Sequence, residues 1–437
     1  MKKLWIFMAL LLAGCSAGPD ITSYFYSDNV DISDLENDKN ATTISMILPL
    51  SGTWEATGKT FQNAVLLAMD ENPNSPLKIL FFDTKSTADG TEQAYAQALA
   101  QNPHLILGPV FADEFRALPS PSLTNKPVLG YTSDNTLLNS ERASLAVLIP
   151  QQINTLIRQN CLAGKRKLAV IGPEGKTGEI VMNALEEALP LCPDMELQNY
   201  ALYNAEKADM SADILKILPP FINPKKKDLT EKEQELLATP MEERLNFDSL
   251  LVFEDGTKLT QVMSILAFYD VTPSIIPIYT LTSAKGLKDR SLNGVLMADL
   301  PAGNAFSQKY KKAFGNTPIR LASLAYDSVD WIAKEAKKGP VSLKTLREAD
   351  TYHGLDGLVK LNPDGTNKRG LRIVRKTSRG VAEVAPSPGD LNDEPFLDLI
   401  NDSMITTEST DSTSMFPLMS DESQTHFQST TPDAQLL

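Results

Sequence analysis

The sequence predicts an α/β fold of two Rossmann-like lobes. Three observations carry this. Short apolar runs alternate with helical patterns from Thr43 to about Lys376, and the alternation comes as two successive series that part at Pro150. Gly and Pro close several of the runs. Short strands alternating with helices of this size imply β-α-β units and parallel sheets covered on both faces.

The first series opens with a strand over Ile44–Leu48 that ends at Pro49, then a turn at Leu50-Ser51-Gly52-Thr53. Phe61, Val65, Leu66 and Met69 recur at helical spacing. Leu77–Phe82 reads as a strand, Thr91–Ala100 as a helix, and His104–Leu107 as a strand closing on Gly108-Pro109. Val128–Tyr131 and Ala146–Ile149 complete the strands of a first lobe, expected over 43–149 and returning at about 300–345. The second lobe, expected over 150–299 and completed by about 350–376, begins with a helix at Gln151–Asn160. It continues with strand Lys167–Ile171, helix Gly178–Leu189, strand Ser249–Phe253, helix Lys258–Tyr269 and strand Ile275–Tyr279. A charged helical insertion, Lys225–Arg244, interrupts it. The lobes are expected to connect near Pro150, Thr282–Leu300 and Asp350.

The chain has 437 residues, with 41 Lys+Arg against 55 Asp+Glu. Such an acidic balance argues against nucleic-acid binding, which needs clustered cations. Eleven of the carboxylates follow Arg379, the last basic residue, so the folded part is near neutral. Residues 380–437, rich in Ser, Thr and Asp, are expected to form a disordered tail. Within it, Phe396–Ile400 either docks on a partner or does nothing structural. The three histidines (His104, His353, His426) and three cysteines show no metal-ligand spacing, so no metal or other cofactor is expected.

Met1-Lys2-Lys3 and the apolar run Leu4–Ala13 have the shape of a secretory signal, too short to span a bilayer. Leu12-Ala13-Gly14-Cys15 resembles the lipobox of bacterial lipoproteins, which implies that residues 1–15 are a signal and that Cys15 is lipidated. Several acyl chains on one cysteine give stable attachment without a spanning helix. Ser16, in the place where Asp would stand, resembles the signal for transfer to the outer membrane, so export to its periplasmic face is expected. Residues 16–42 read as a flexible tether.

Ile47-Leu-Pro-Leu-Ser-Gly52 resembles the opening unit of type I periplasmic binding proteins, the leucine-binding-protein domain. Further matches follow in order: Phe82-Asp83, Leu105–Pro109, Lys167–Gly175, Ala325–Val329 and His353–Gly365. The last looks like the family's closing hairpin, with Asn362-Pro-Asp-Gly365 as its turn and a return strand through Leu371–Arg375. Within this superfamily, Ser16, the charged insertion and Ile265–Val271 are more similar to penicillin-binding protein activator lipoproteins. That resemblance implies a non-catalytic envelope lipoprotein regulating peptidoglycan synthesis, with a bifunctional penicillin-binding protein or another envelope protein as partner. The alternative is the amino-acid receptor of an ABC transporter.

The resemblance also implies a hinge and a central cleft between the lobes, where a small ligand such as an amino acid would sit. Candidate cleft residues are Ser51, Trp54, Phe111, Ala112, Tyr131, Thr132, Ser133 and Glu174. Amino-acid receptors usually carry a hydroxyl residue just past the Gly108 turn, where this chain has Phe111-Ala112-Asp113. A lost donor in a polar site is costly, so this departure weakens the receptor reading. Trp54 either lines the cleft or caps the first helix. Gly172–Gly178 fits neither G-x-G-x-x-G nor the P-loop pattern, and reads as a cleft-edge turn. Cys161 and Cys192 end helices on either side of one strand, at the same pole of the sheet; in an oxidising compartment they pair, and otherwise they are buried thiols. Tyr326 and Asp327 sit on a helix and are expected to pack, the alternative being that aspartates here face the hinge. No G-x-S-x-G elbow appears, and no enzyme is expected.

Overall fold

A computed structural model describes residues 41–121, 126–207, 209–220, 227–301 and 303–391. Cys15, the tether up to residue 40 and the tail beyond residue 391 lie outside the described residues.

The first lobe is a parallel sheet of β1 (Thr42–Leu48), β2 (Leu77–Asp83), β3 (Leu105–Leu107), β4 (Val128–Gly130) and β5 (Arg142–Ser144), in the order β2-β1-β3-β4-β5. The side chains of β1 divide by parity. Ile44, Met46 and Leu48 enter the core shared with the helices Glu55–Asp70 and Ala322–Ala336, while Ile47 enters a smaller cluster under helix Ala88–Ala100. Apolar residues on both faces are what a parallel strand sandwiched between helices requires. The chain leaves β3 through Gly108, whose φ of +87° places an added Cβ 2.2 Å from Ile47 O, so no residue with a side chain fits.

The second lobe contributes β6 (Lys167–Pro173), β7 (Glu196–Tyr203), β8 (Ser249–Val252), β9 (Ile278–Thr280) and β10 (Leu296–Asp299). The chain then returns to the first lobe with helices Asn304–Phe314 and Ala322–Ala336, which pack on helix Glu55–Asp70. A small antiparallel sheet follows, β11 (Tyr352–Gly354), β12 (Gly357–Leu361) and β13 (Asn367–Arg369). Finally β14 (Arg372–Thr377) and β15 (Gly380–Ala385) join the second lobe antiparallel, giving the order β15-β14-β10-β9-β8-β6-β7.

Four expectations change. The apolar run Ala146–Ile149 is not a strand: the ladder ends at Ser144, and the run is buried because it is a connection between lobes. Asn367 Nδ2 donates to Ser144 O (2.8 Å) and Ala146 O (3.0 Å), so backbone groups a ladder would pair are satisfied by a side chain. The strand expected at Ile275–Tyr279 starts at Ile278, since Ile275 and Ile276 donate back to Thr272 O in a turn. The closing hairpin splits: β13 stays with the small sheet, and Gly370-Leu371, not the region of Asp350, carries the chain across to β14. The segment Gly380–Ala385, read as the start of a disordered tail, is strand β15.

Candidate functional site

Ligands of open parallel sheets bind beyond the carboxyl ends of the strands. At that edge of the first lobe the loop after β1 is held by Asp83, at the end of β2. Its Oδ1 accepts the N–H groups of Leu50 (2.9 Å), Ser51 (3.1 Å) and Lys85 (2.8 Å), and Oδ2 accepts the Ser51 hydroxyl (2.6 Å). Burial pushes the Asp83 carboxyl up, but these donors, Ser51 first, outweigh it and hold it below its usual range. The Ser51 hydroxyl is therefore engaged in holding its own loop.

The rim beside it is aromatic. The ring of Trp54 stands 4.8 Å from that of Phe111, and Phe111 is buried. The Trp54 backbone N–H donates to Ser86 Oγ (3.0 Å), and its side chain makes no helix cap. Ala112 begins the short helix Ala112–Arg116. Within that helix Glu114 is buried, receives the Thr84 hydroxyl at 2.5 Å and is pushed up chiefly by burial.

Tyr131 and Thr132 turn inward and do not line a cleft. Tyr131 stacks edge-on against Phe61, and its hydroxyl lies 2.8 Å from Ser328 Oγ. Buried Thr132 accepts the Asp134 N–H, and its carbonyl accepts the Ser144 hydroxyl. Ser133 stays half-buried beside them.

Across the gap, Glu174 is exposed after β6, and its N–H donates to Tyr203 O (2.8 Å). The side chain that reaches the first lobe is its neighbour Lys176, whose Nζ lies 2.7 Å from Asp134 Oδ2. Arg116 Nη2 shares that oxygen at 2.8 Å. Burial raises the Asp134 carboxyl, yet Lys176, Thr136 and Arg116 together hold it below its usual range. Both cations are about half exposed, so each pair is worth at most about 1 kcal/mol. Asp134, Arg116 and Lys176 were not singled out in the sequence, which offers no periodicity linking positions this far apart. A depression of about 380 Å³ lies elsewhere, lined by Asp209, Met210, Thr260, Gln261, Ser264 and Ile265, all from the second lobe.

A dense polar cluster lies where the connections meet. Asp327, on helix Ala322–Ala336, accepts the N–H groups of Leu355 (2.9 Å) and Asp356 (2.8 Å). Asp356 is fully buried, receives the Ser323 hydroxyl at 2.6 Å and pairs with Arg320 at 2.5 Å. That ion pair lies off hydrogen-bond angles, so Asp356 Oδ1 has no directed donor. Arg369 donates through Nη2 to Leu145 O (2.5 Å), while its Nε and Nη1 meet no acceptor. Two buried carboxylates and two arginines thus face one another at the hinge. Among the described residues, no His/Cys/Asp/Glu group could hold a metal.

The sequence pattern of a family described as "LppC putative lipoprotein" matches residues 22–331. No curated protein sequence matches. Among solved structures, the chain is similar to the C-domain of LpoA (YraM) from Haemophilus influenzae, a regulator of PBP1A. The identity is 17% and the TM-score 0.55, covering 79% of this chain and 100% of that one. Full-length LpoA from the same organism is 18% identical with a TM-score of 0.55, covering 81% of this chain and 61% of that one. A putative branched-chain amino acid ABC transporter protein from Rhodospirillum rubrum is 18% identical with a TM-score of 0.61, covering 79% and 100%. At these identities the likeness is one of fold, and the fold is that of the two-lobed periplasmic binding proteins.

Proposed function

Because the chain belongs to the LppC putative lipoprotein family, we propose that it is a non-catalytic envelope lipoprotein whose two-lobed domain activates a penicillin-binding protein by direct contact. Lipidation at Cys15 would anchor it, with Ser16 directing it to the periplasmic face of the outer membrane. The observation that carries the reading is the state of the cleft edge. Among the polar side chains at this edge, Ser51, Tyr131, Thr132 and Asp134 already have partners within the protein. Ser51 holds Asp83, Thr132 caps Asp134, and Asp134 ties Arg116 to Lys176. Past the Gly108 turn, where the resemblance to receptors implies a hydroxyl residue, this chain has Phe111, packed on Trp54, and Ala112, which cannot donate.

The test is reconstitution with the bifunctional penicillin-binding protein of the same organism. Added in equimolar amount, the protein is expected to raise peptidoglycan synthesis severalfold and to co-purify with the synthase. Unchanged synthesis together with no complex would remove this reading.

The receptor reading makes a separate prediction, because the fold is shared with amino-acid receptors. A ligand present at a hundred times its dissociation constant stabilises a receptor by about 2.7 kcal/mol. None of the twenty amino acids at millimolar concentration is expected to shift the Tm here. A clear shift by any one of them, lost in Asp134→Ala, would restore the receptor reading.

A further inference from the structure

Three connections join the lobes, and arginines, Arg369 and Arg372 buried and Arg320 partly exposed, bind backbone carbonyls of the first two. Arg369 donates to Leu145 O (2.5 Å) in the first, Arg320 to Pro301 O (3.0 Å) in the second, and Arg372, just past the third, to Leu300 O (2.8 Å). Arg320 and Arg369 converge on Asp356 and Asp327. Asp327 belongs to a helix packed on the first lobe, yet its carboxylate grips the turn Leu355-Asp356 that leads into β12 and on to the second lobe. The grip is tight: a Cβ on Gly354 would lie 2.3 Å from Asp327 Oδ2.

We propose that Asp327 is the proton-binding element of a pH-operated lock on the hinge, in which the protonated carboxyl holds the three connections together and its ionisation loosens them. A neutral carboxyl still accepts both N–H groups, and protonation ends the repulsion between Asp327 and Asp356. The groups facing Asp327 come from every element around it. They are Tyr326 and Asp330 on its own helix, Tyr352 on β11, Asp356 in the turn, Arg369 on β13 and Arg320 ahead of the helix. Asp330 is occupied elsewhere, by Lys334, the Tyr352 hydroxyl and Asn72.

Burial, reinforced by Asp356, pushes Asp327 up to about 7, and the two N–H groups and Arg369 offset only part of this. The locked state therefore binds the proton more tightly than an exposed carboxylate does. The stabilisation is complete below about pH 4 and is lost as pH rises toward 7, by up to about tenfold in the locking equilibrium per unit. The carboxylates of Asp83, Asp134 and Asp330 are held below their usual range, the opposite direction to Asp327. Buried Glu114 is displaced in the same direction as Asp327, so the comparison between variants isolates the hinge.

The experiment measures interlobe distance by pulsed electron resonance, with spin labels at Glu92→Cys and Glu187→Cys, both exposed positions. It is paired with hydrogen exchange of the Leu355 and Asp356 amides between pH 5 and 8. The expected result is a narrow distance distribution at pH 5 and a broad one at pH 8. Amide protection, corrected for the intrinsic rate, should fall at least tenfold. Asp327→Asn should abolish both changes, and His353→Gln, at the exposed histidine of β11, should keep them. Wild-type protein that behaves alike at both pH values overturns the proposal. So does a shift that survives in Asp327→Asn or disappears in His353→Gln. If Asp327→Asn does not fold, the wild-type carboxyl titration read by NMR decides, and a midpoint below 5 sinks the lock.

Discussion

Asp356→Ala is expected to destabilise the protein by about 3–5 kcal/mol at pH 7, because it strips the partly buried Arg320 and the buried Arg369 of a counter-charge. Asp356 has no exposed surface, pairs with Arg320 at 2.5 Å and receives the Ser323 hydroxyl. Its removal leaves Arg320 facing an empty site and Arg369 with Asp327 alone, while Arg369 already carries two N–H groups without acceptors. Exposed pairs supply the scale. Lys344→Ala, which removes a partner of Glu348 at 3.8 Å with both side chains mostly exposed, should cost well under 1 kcal/mol. Urea unfolding of the two variants decides between them. A cost below about 1 kcal/mol for Asp356→Ala would mean that the hinge cluster is not what holds the connections.

How much of this was legible in the sequence depends on the distance over which each interaction acts. The strands β1 to β4 announce themselves because a buried parallel strand is apolar on both faces, as Ile44, Met46, Ile47 and Leu48 show. The same rule misled at Ala146–Ile149. That stretch is apolar because it runs beneath Asn367 and Arg369 between the lobes, and burial alone does not distinguish a connection from a strand. Conversely β15 was missed because none of its residues is buried, so edge pairing with β14 leaves little apolar pattern to read. At the cleft edge, residue type was visible but side-chain direction was not. Tyr131 and Thr132 look like ligand-binding residues until Ser328 and Asp134 are seen to use them. The hinge cluster was half visible, since Asp327 and Asp356 sit in motifs that carried the family likeness. Their partners Arg320 and Arg369 lie in no motif, and only the fold brings the four together.

The second large effect is expected at the bond between Cys161 and Cys192, which have a Cα–Cα separation of 5.7 Å. The first ends helix Ile149–Leu162 and the second follows helix Lys176–Ala188, so the closed loop contains β6 and the helix that carries Lys176 toward the first lobe. With a sequence separation of 31, the chain-entropy argument gives about 3–4 kcal/mol of stabilisation through the unfolded state. Both cysteines are buried among apolar side chains of the main core, so Cys161→Ala with Cys192→Ala introduces no unpaired polar group and leaves only small voids. The double variant should therefore show a lower urea midpoint that reductant does not change, whereas reductant should bring the parent protein down to the same value. Two alkylatable thiols at these positions in the unreduced protein would contradict the bond. A double variant within about 0.5 kcal/mol of the parent would place the stability of this layer in the packing of the two helices, not in the cross-link.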